Sequence, residues 1–426
     1  MNILIATVGS NPLPVVVSIR AIEPDRLWLL YTSDVEQITN RISEHLKVKL
    51  PNCKILPLEI KDHQKAKSIR ATLEEIEEDW PNTKLNYTGG TKLMAVHVHS
   101  FWKEKGGKPE NASYLGSDGR LYFDDIKESL LEEQLPKLYL ADLCQLHFNK
   151  NPKSGNEHLN EKKLKLAQEI HRFVCDNNFS IYQDHLPPLY GENSLARLDG
   201  YDDKIKCDWN AAKEFNFKKT GAFFKKDLSM LFKIFNLEAK SIEEFSCWLE
   251  GNSYHRKNSE QKKKANLSNA KWLYGVWLEV WLADQLKQMI TCDGRKIFDE
   301  VHQNVSIGDK PDDFEMDVVA VCGYRLFLFS CTVDDNDYLV KSKLFEAGNR
   351  AARIGGEHAR AAMLCLHEEP QSVLQTVQEE RWSGYNTLRL FGLDHIKGGS
   401  KPCQVVSGQQ PRAVTLQQGV EEWVKS

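Results

Sequence analysis

Residues 312–358 read DDFEMDVVAVCGYRLFLFSCTVDDNDYLVKSKLFEAGNRAARIGGEH, and their reading decides the fold of the C-terminal third of the chain. EMDVVAVC (315–322) is a short β-branched run that enters with Asp317. Cys322-Gly323-Tyr324 makes a tight turn before the wholly apolar RLFLFSCT (325–332), so the two runs form a predicted hairpin. The helix that follows opens with Lys341, Lys343 and Glu346. An acid at the start of one strand, a polar group at the end of the next and an acid on the next helix converge on one point, which is what a divalent cation needs.

Upstream, LSNAKWLYGVWLEVWLADQLKQM (267–289) has the periodicity of a helix that buries Trp272, Trp277 and Trp281 on or near one face. Glu279 sits inside it among bulky apolar residues. A buried carboxylate without a partner is costly, so Glu279 requires a lysine, an arginine or a metal, and a plain buried ion pair satisfies the same requirement. VHQNVSI (301–307) then reads as a strand, and GDKPDD (308–313) as the turn into the hairpin.

The first 150 residues alternate strand and helix. ILIATVG (3–9), RLWLLYTS (26–33), CKILPLEI (53–60) and KLNYTGG (84–90) are strands, with helices through Val17, over Val35 to Leu50, over Lys65 to Asp79 with Glu74, Glu75, Glu77 and Glu78 on the wet side, and over Leu93 to Lys103. That order predicts a parallel, doubly wound sheet, in which ligands bind beyond the carboxyl ends of the strands. The residues so placed are Gly9, Ser10 and Asn11, then Thr32, and then Thr88, Gly89, Gly90, Thr91 and Lys92. In TGGTK the glycines let a ligand approach the backbone. The following helix offers free N–H groups to a phosphate, and the threonines and lysine add donors and charge. The motif is neither GxxxxGK[ST] nor GxGxxG, and a tight strand-to-helix turn without a ligand accounts for it equally well.

ASYLG, SDG and RLYFDD (112–125) read as a hairpin that ends the sheet, and NKNPKSGNEHLNE (149–161) reads as a linker. Segments 163–175 and 221–235 have helical periodicity and make 151–265 an α-rich connector. His255-Arg256-Lys257 and Lys262-Lys263-Lys264 are a basic patch that reads as solvated linker or as a local nucleic-acid contact.

A chain of 426 residues exceeds one small core and implies two or three domains. With 41% hydrophobic and 27% charged residues it is of ordinary globular composition, and no apolar run has the length of a bilayer span. The ten cysteines stand singly with no CxxC, which argues against a disulfide scaffold or structural zinc. The apolar stretch Ile3 to Val8 lacks a basic flank and is too short for a secretion signal, so a cytoplasmic location is expected. A net charge of −4 excludes a generally basic nucleic-acid coat.

ATVGSNP and NYTGGTK resemble the loops of the CARF (CRISPR-associated Rossmann fold) sensor. The Glu-bearing helix, the strands and the helix of the C-terminal third resemble the PD-(D/E)XK nuclease domain of single-CARF effectors of type III CRISPR defence. The resemblance implies a CARF sensor over 1–150, a helical connector over 151–265 and a PD-(D/E)XK, restriction-endonuclease-like domain over 266–426. It implies a homodimer that binds a cyclic oligoadenylate, cyclic tetra-adenylate or cyclic hexa-adenylate, across its two sensors. The dimer then cuts DNA, RNA or both, on single strands or by nicking, with Mg²⁺ or Mn²⁺ and no membrane partner. Carried over, Asp317 is the first acid of the motif and Glu279 the extra acid of the leading helix. Where the family has (D/E)-x-K, this chain has Ser330-Cys331-Thr332. Either the site is lost, which leaves a cyclic-nucleotide-binding signalling protein with a vestigial nuclease fold, or its charges have moved to Lys343 and Glu346 on the next helix. In the second case Glu279, Asp317 and Glu346 hold the metal and Lys343 serves the attacking water. Lys341 is then the alternate lysine, and Arg350 and Arg353 hold flanking phosphates. Arg353 and His358 also fit the Rx4H signature of metal-free HEPN ribonucleases, although Gly355-Gly356 breaks the helix such a site needs.

Overall fold

The computed structural model describes residues 1–125, 129–154, 161–175, 197–198, 205–206, 275–291, 293–307, 315–333, 335–379, 387–398 and 415–425. The basic patch at 255–264, the helical segment 221–235 and Trp272 lie outside them.

Strands β1 (Ile3–Thr7), β2 (Arg26–Tyr31), β3 (Lys54–Glu59), β4 (Thr83–Asn86), β5 (Ala112–Leu115) and β6 (Leu121–Phe123) form one sheet in the order β3-β2-β1-β4-β5-β6. β1 to β5 run parallel and β6 closes the edge antiparallel, as the alternation of strand and helix predicts. Leu4, Ile5, Leu27 and Leu29 are fully buried between helices on the two faces. Helix α1 (Leu13–Ile22) is buried from Leu13 through Ile19. Helix α2 (Glu36–Lys49) turns only Thr39, Ile42, Ser43 and Leu46 inward, a spacing of three and four that leaves its charged side wet. Helix α3 (Ala66–Glu74) is shorter than its predicted span. Glu78 is not on the wet side: its carboxylate accepts hydrogen bonds from Arg26 at 2.8 Å and from Trp28 Nε1 at 3.0 Å. Helix α4 (Lys92–Glu104) follows the TGGT turn, and α5 (Leu140–Phe148) ends the unit.

The second sheet has the order β14-β13-β12-β11-β10-β7, from β7 (Pro152–Ser154), β10 (Glu300–Ile307), β11 (Glu315–Cys322), β12 (Arg325–Thr332), β13 (Arg360–Cys365) and β14 (Leu388–Phe391). β7, β10, β11 and β12 pair antiparallel, and β12, β13 and β14 parallel. The hairpin forms, with Cys322 opposite Arg325. The stretch 149–161 is more than a linker, because its residues 152–154 are the edge strand beside β10. Arg197–Leu198 (β8) and Ile205–Lys206 (β9) form a separate short ribbon.

Helix α6 (Glu161–Phe173) packs on α7 (Trp277–Gln288), so the first helix of the connector shares a core with the tryptophan-bearing helix. On the other face α8 (Asp337–Gly355) lays Val340, Leu344, Ala347, Ala351 and Ile354 onto β12 and β13. Burying each aliphatic side chain of that stripe contributes about 1.5–3 kcal/mol. Helices α9 (Pro370–Glu379), α10 (Leu393–Ile396) and α11 (Leu416–Lys425) complete the unit. The core beneath α8 is continuous with that of α1, α2 and α5. The seam between the sheets is polar at its rim: Lys137 meets Asp299 at 2.5 Å, Arg325 meets Glu132 at 2.5 Å, and Leu138 N–H donates to Gly323 O at 2.9 Å. Among the described residues no helix is long and apolar enough to cross a membrane.

Candidate sensor crevice and acidic site

β1 and β4 are neighbours whose following helices lie on opposite faces, so the turns after them meet at the reversal point of the strand order. The two turns touch through backbone. A Cβ on Gly89 would clash with Thr7 O, and one on Gly9 would lie 2.9 Å from Gly90 N. Gly90 has φ +80°, a conformation that side chains oppose. Close approach of the two turns therefore explains the glycines before any ligand is considered. Thr7 Oγ1 donates to Gly89 O at 2.6 Å and locks the pair together.

Two of the predicted ligand-binding hydroxyls have structural duties. Thr88 Oγ1 accepts from Leu115 N at 2.8 Å, and Thr91 Oγ1 caps α4 by accepting from Met94 N at 3.2 Å. Thr32 is buried at the end of β2. Ser10 and Lys92 are exposed. Asn11 turns Oδ1 back to Leu13 N at 3.2 Å and leaves Nδ2 buried. The crevice thus presents Ser10 and Lys92 outward, with the N-terminal N–H groups of α4 beside them, which suits an anion.

In the second unit the hairpin places Asp317 on β11 directly against Ser330 and Cys331 of β12. Asp317 Oδ2 accepts from Cys331 N at 2.7 Å and from Ser330 Oγ at 3.0 Å. Both bonds fall on one oxygen, which leaves Oδ1 for a ligand. Glu279 approaches from the first turn of α7. Burial, the Asp317 carboxylate and the Glu315 carboxylate, in that order, push its pKa up to about 8, against the opposing charge of Lys343. Burial likewise raises Asp317, opposed by its two hydrogen bonds and by Lys343 and Arg350. The charges of Asp317, Glu279 and Lys343 thus act on one another.

Glu346 departs from expectation. It is half-exposed and pairs with Arg350 at 2.5 Å, and the charges that act on Glu279 are those of Asp317, Glu315 and Lys343. Arg350 also donates to Glu315 O at 2.7 Å, so this residue ties α8 to the entry of β11. Lys341 lies 5.9 Å over the Phe345 ring, and Arg353 is exposed. Among the described residues no three His, Cys, Asp or Glu side chains converge as a metal cage. The Rx4H pattern makes no surface site. His358 is buried against Tyr324, and burial together with Arg325 and Arg360 lowers its pKa to about 4.

Three groups here carried no sequence signal for the site. Ser330 occupies the position of the missing acid as a donor to Asp317. Glu315 shares the Asp317 face of β11, two residues away. Asn304 stands in the β10 register opposite Asp317 with φ +49°, and the ladder pairs on either side of it are kept. A non-glycine residue in that region marks local strain, which concentrates at functional sites. The Glu-x-Asp alternation of Glu315 and Asp317 at a strand entrance was the one readable clue, and it fell beside a stronger motif.

No curated protein matches the chain. Among solved structures, its fold is similar to that of protein VC1899 from Vibrio cholerae, at 15% identity and a TM-score of 0.64 over 100% of this chain and 98% of that one. Can2 from Sulfobacillus thermosulfidooxidans, solved in complex with cyclic tetra-adenylate, is similar at 16% identity and a TM-score of 0.60 over 100% and 98%. A type III CRISPR defence DNA nuclease activated by cyclic oligoadenylate is similar at 14% identity and a TM-score of 0.51, over 99% of this chain and 51% of that one. Residues 3–139 match the family model described as the Card1 CARF domain, which covers the first sheet and its helices.

Proposed function

We propose that the protein is a cyclic-oligoadenylate-activated, metal-dependent nuclease of type III CRISPR defence, with cyclic tetra-adenylate as the activator and a PD-(D/E)XK-type site in its second unit. The observation that carries this reading is the Glu279–Asp317 pair beside Lys343. Two carboxyls buried close together need either a shared proton or a cation between them. Asp317 stands near the start of the interior strand β11, with Glu279 on the helix before the strands and Lys343 on the helix after β12, an order that supports this reading.

Mg²⁺ or Mn²⁺ fits this donor set. Two hard oxygen ligands suffice when water and substrate phosphate complete the shell, the usual arrangement for Mg²⁺. When bound, such an ion lowers the pKa of a water and screens charge on the phosphate. Glu279 and Asp317 would hold it, Ser330 Oγ and the Cys331 N–H orient Asp317, and Lys343 would supply a fixed positive charge for the attacking water or the phosphate. Glu346 supports this set indirectly, through Arg350 and the β11 entrance.

The absence of an acid and a lysine at Ser330-Cys331-Thr332 favours a second reading, a signalling protein with a vestigial nuclease fold. Labelled single- and double-stranded DNA and RNA, incubated with Mg²⁺ or Mn²⁺ and with cyclic tetra- or hexa-adenylate, separate the two. Cleavage that needs both activator and metal supports the nuclease. Activator binding with no cleavage of any substrate supports the signalling protein.

In the sensor, Lys92→Ala weakens cyclic tetra-adenylate binding by about 1.5–3 kcal/mol, the worth of a hydrogen bond to a charged group. Unchanged affinity by calorimetry removes Lys92 from the site. A ring of two-fold symmetry is best read by two copies of one crevice, which makes a C2 homodimer of sensors the expected assembly. Leu93 and Val96, at 38% and 62% exposure on the α4 turn that leaves the crevice, and Tyr114 at 38% provide an apolar face for it. Val96→Glu converts the dimer to monomer in sedimentation. A wild-type monomer with and without activator rejects the assembly.

A further inference from the structure

Three buried polar atoms in the seam between the two units have no hydrogen-bond partner among the described residues: Asn11 Nδ2, Tyr324 OH and His358 Nε2. Asn11 belongs to the crevice turn. Its Oδ1 is committed to Leu13 N two residues on, and this bond fixes the direction of its amide. That amide lies against Gly356, which ends α8 at φ 62°, ψ −151°, a conformation open only to glycine. A methyl group on Gly356 would fall inside the Asn11 side chain.

The same helix end has no slack on its other sides. A Cβ on Gly355 would sit 2.8 Å from Ala359 Cβ and 2.9 Å from Leu326 Cβ. His358 packs edge-on to Tyr324 with ring centroids 5.6 Å apart, and Tyr324 OH is 3.2 Å from where a Cβ on Gly119 of the sensor would lie. The carboxyl end of α8 is therefore wedged between the sensor and β12. Lys343 stands thirteen residues back along this helix, about 20 Å away at 1.5 Å per residue.

We propose that Asn11 is the positioning residue through which occupancy of the crevice reaches the acidic site. A ligand that takes Nδ2 as a donor draws the Asn11 amide off Gly356, and α8 shifts as a rigid element and resets Lys343 against Asp317 and Glu279. Coupling of this kind requires a contact that differs between the two states, and an unpaired buried donor on the ligand turn, lying against the helix end, supplies it. This inference rests on the activator reading of the crevice.

The test uses the full-length protein, cyclic tetra-adenylate as probe, calorimetry for binding and hydrogen exchange over 341–358 for transmission. In the wild type, saturation changes exchange in this segment by about five-fold or more, the lower bound of ordinary coupling. Asn11→Ala, saturated at its own measured affinity, loses that change. Gly356→Ala leaves Ser10 and Lys92 untouched while its methyl displaces the Asn11 amide; it binds the probe and loses the change as well. Because the methyl at 356 meets Asn11, the melting temperatures of the two single variants and the double variant are non-additive, a readout that needs no ligand. Additive melting temperatures, or a full exchange response in saturated Asn11→Ala, overturn the proposal while the activator reading stands. Failure of the wild type to bind the probe overturns the activator reading itself.

Discussion

Asp317→Asn abolishes activator-dependent cleavage, with a fall of about 10³-fold or more, since the loss of a ligand forfeits several kcal/mol of charge stabilisation on the phosphate. The substitution keeps the fold. An amide oxygen at this position still accepts from Cys331 N and Ser330 Oγ, the two bonds that fix the side chain in the hairpin. Binding of cyclic tetra-adenylate to the sensor is unchanged. The thermal stabilisation that Mn²⁺ gives the wild type disappears, which ties the loss to the metal and not to substrate. Glu346→Gln is the informative companion. Its carboxylate faces Arg350, so its removal costs only the few-fold expected from loosening the β11 entrance. Cleavage by Asp317→Asn at the wild-type rate, or cleavage that survives EDTA, removes this pair from the chemistry.

The hairpin that carries Asp317 was legible because two period-free apolar runs flank a glycine turn, and the parallel sheet was legible because strand and helix alternate. The position of Glu346 was not. Spacing by three residues places Lys343 and Glu346 on one helical face, yet it does not say which neighbour each will meet, and Arg350 one turn on offered Glu346 a local partner. β7 escaped notice for a related reason. An edge strand needs only backbone pairing, and Pro152-Lys153-Ser154 has neither alternation nor β-branched residues. Asn11 against Gly356 lay furthest out of reach, since a contact between residues so distant in the chain leaves no local pattern. Ser330 was read as a missing acid, and its hydroxyl turned out to hold the acid that remains.

The metal-free protein loses stability as pH rises through the range in which Glu279 ionises, and Glu279→Gln abolishes that loss. The sign follows from the direction of the shift. The pKa is about 8 in the folded state against the ordinary glutamate value of 4.5, so the folded protein holds a proton that the unfolded chain has released. Stability from this group is fully present below the unfolded pKa and declines between the two values, with most of the loss complete once pH passes 8. The total is a few kcal/mol, read as a steady fall of the melting temperature on titration in EDTA. Glu279→Gln has no proton to release and stays flat over the same window. The same linkage gives Mn²⁺ an opposite trend. A cation must displace the shared proton, so its stabilising effect on the wild type grows from pH 6 to pH 8, and it is absent from the glutamine variant. A wild-type melting curve indifferent to pH in EDTA, or equal stabilisation of both proteins by Mn²⁺, means that Glu279 is satisfied by a fixed partner, and the acidic site is then a buried ion pair and not a cation site.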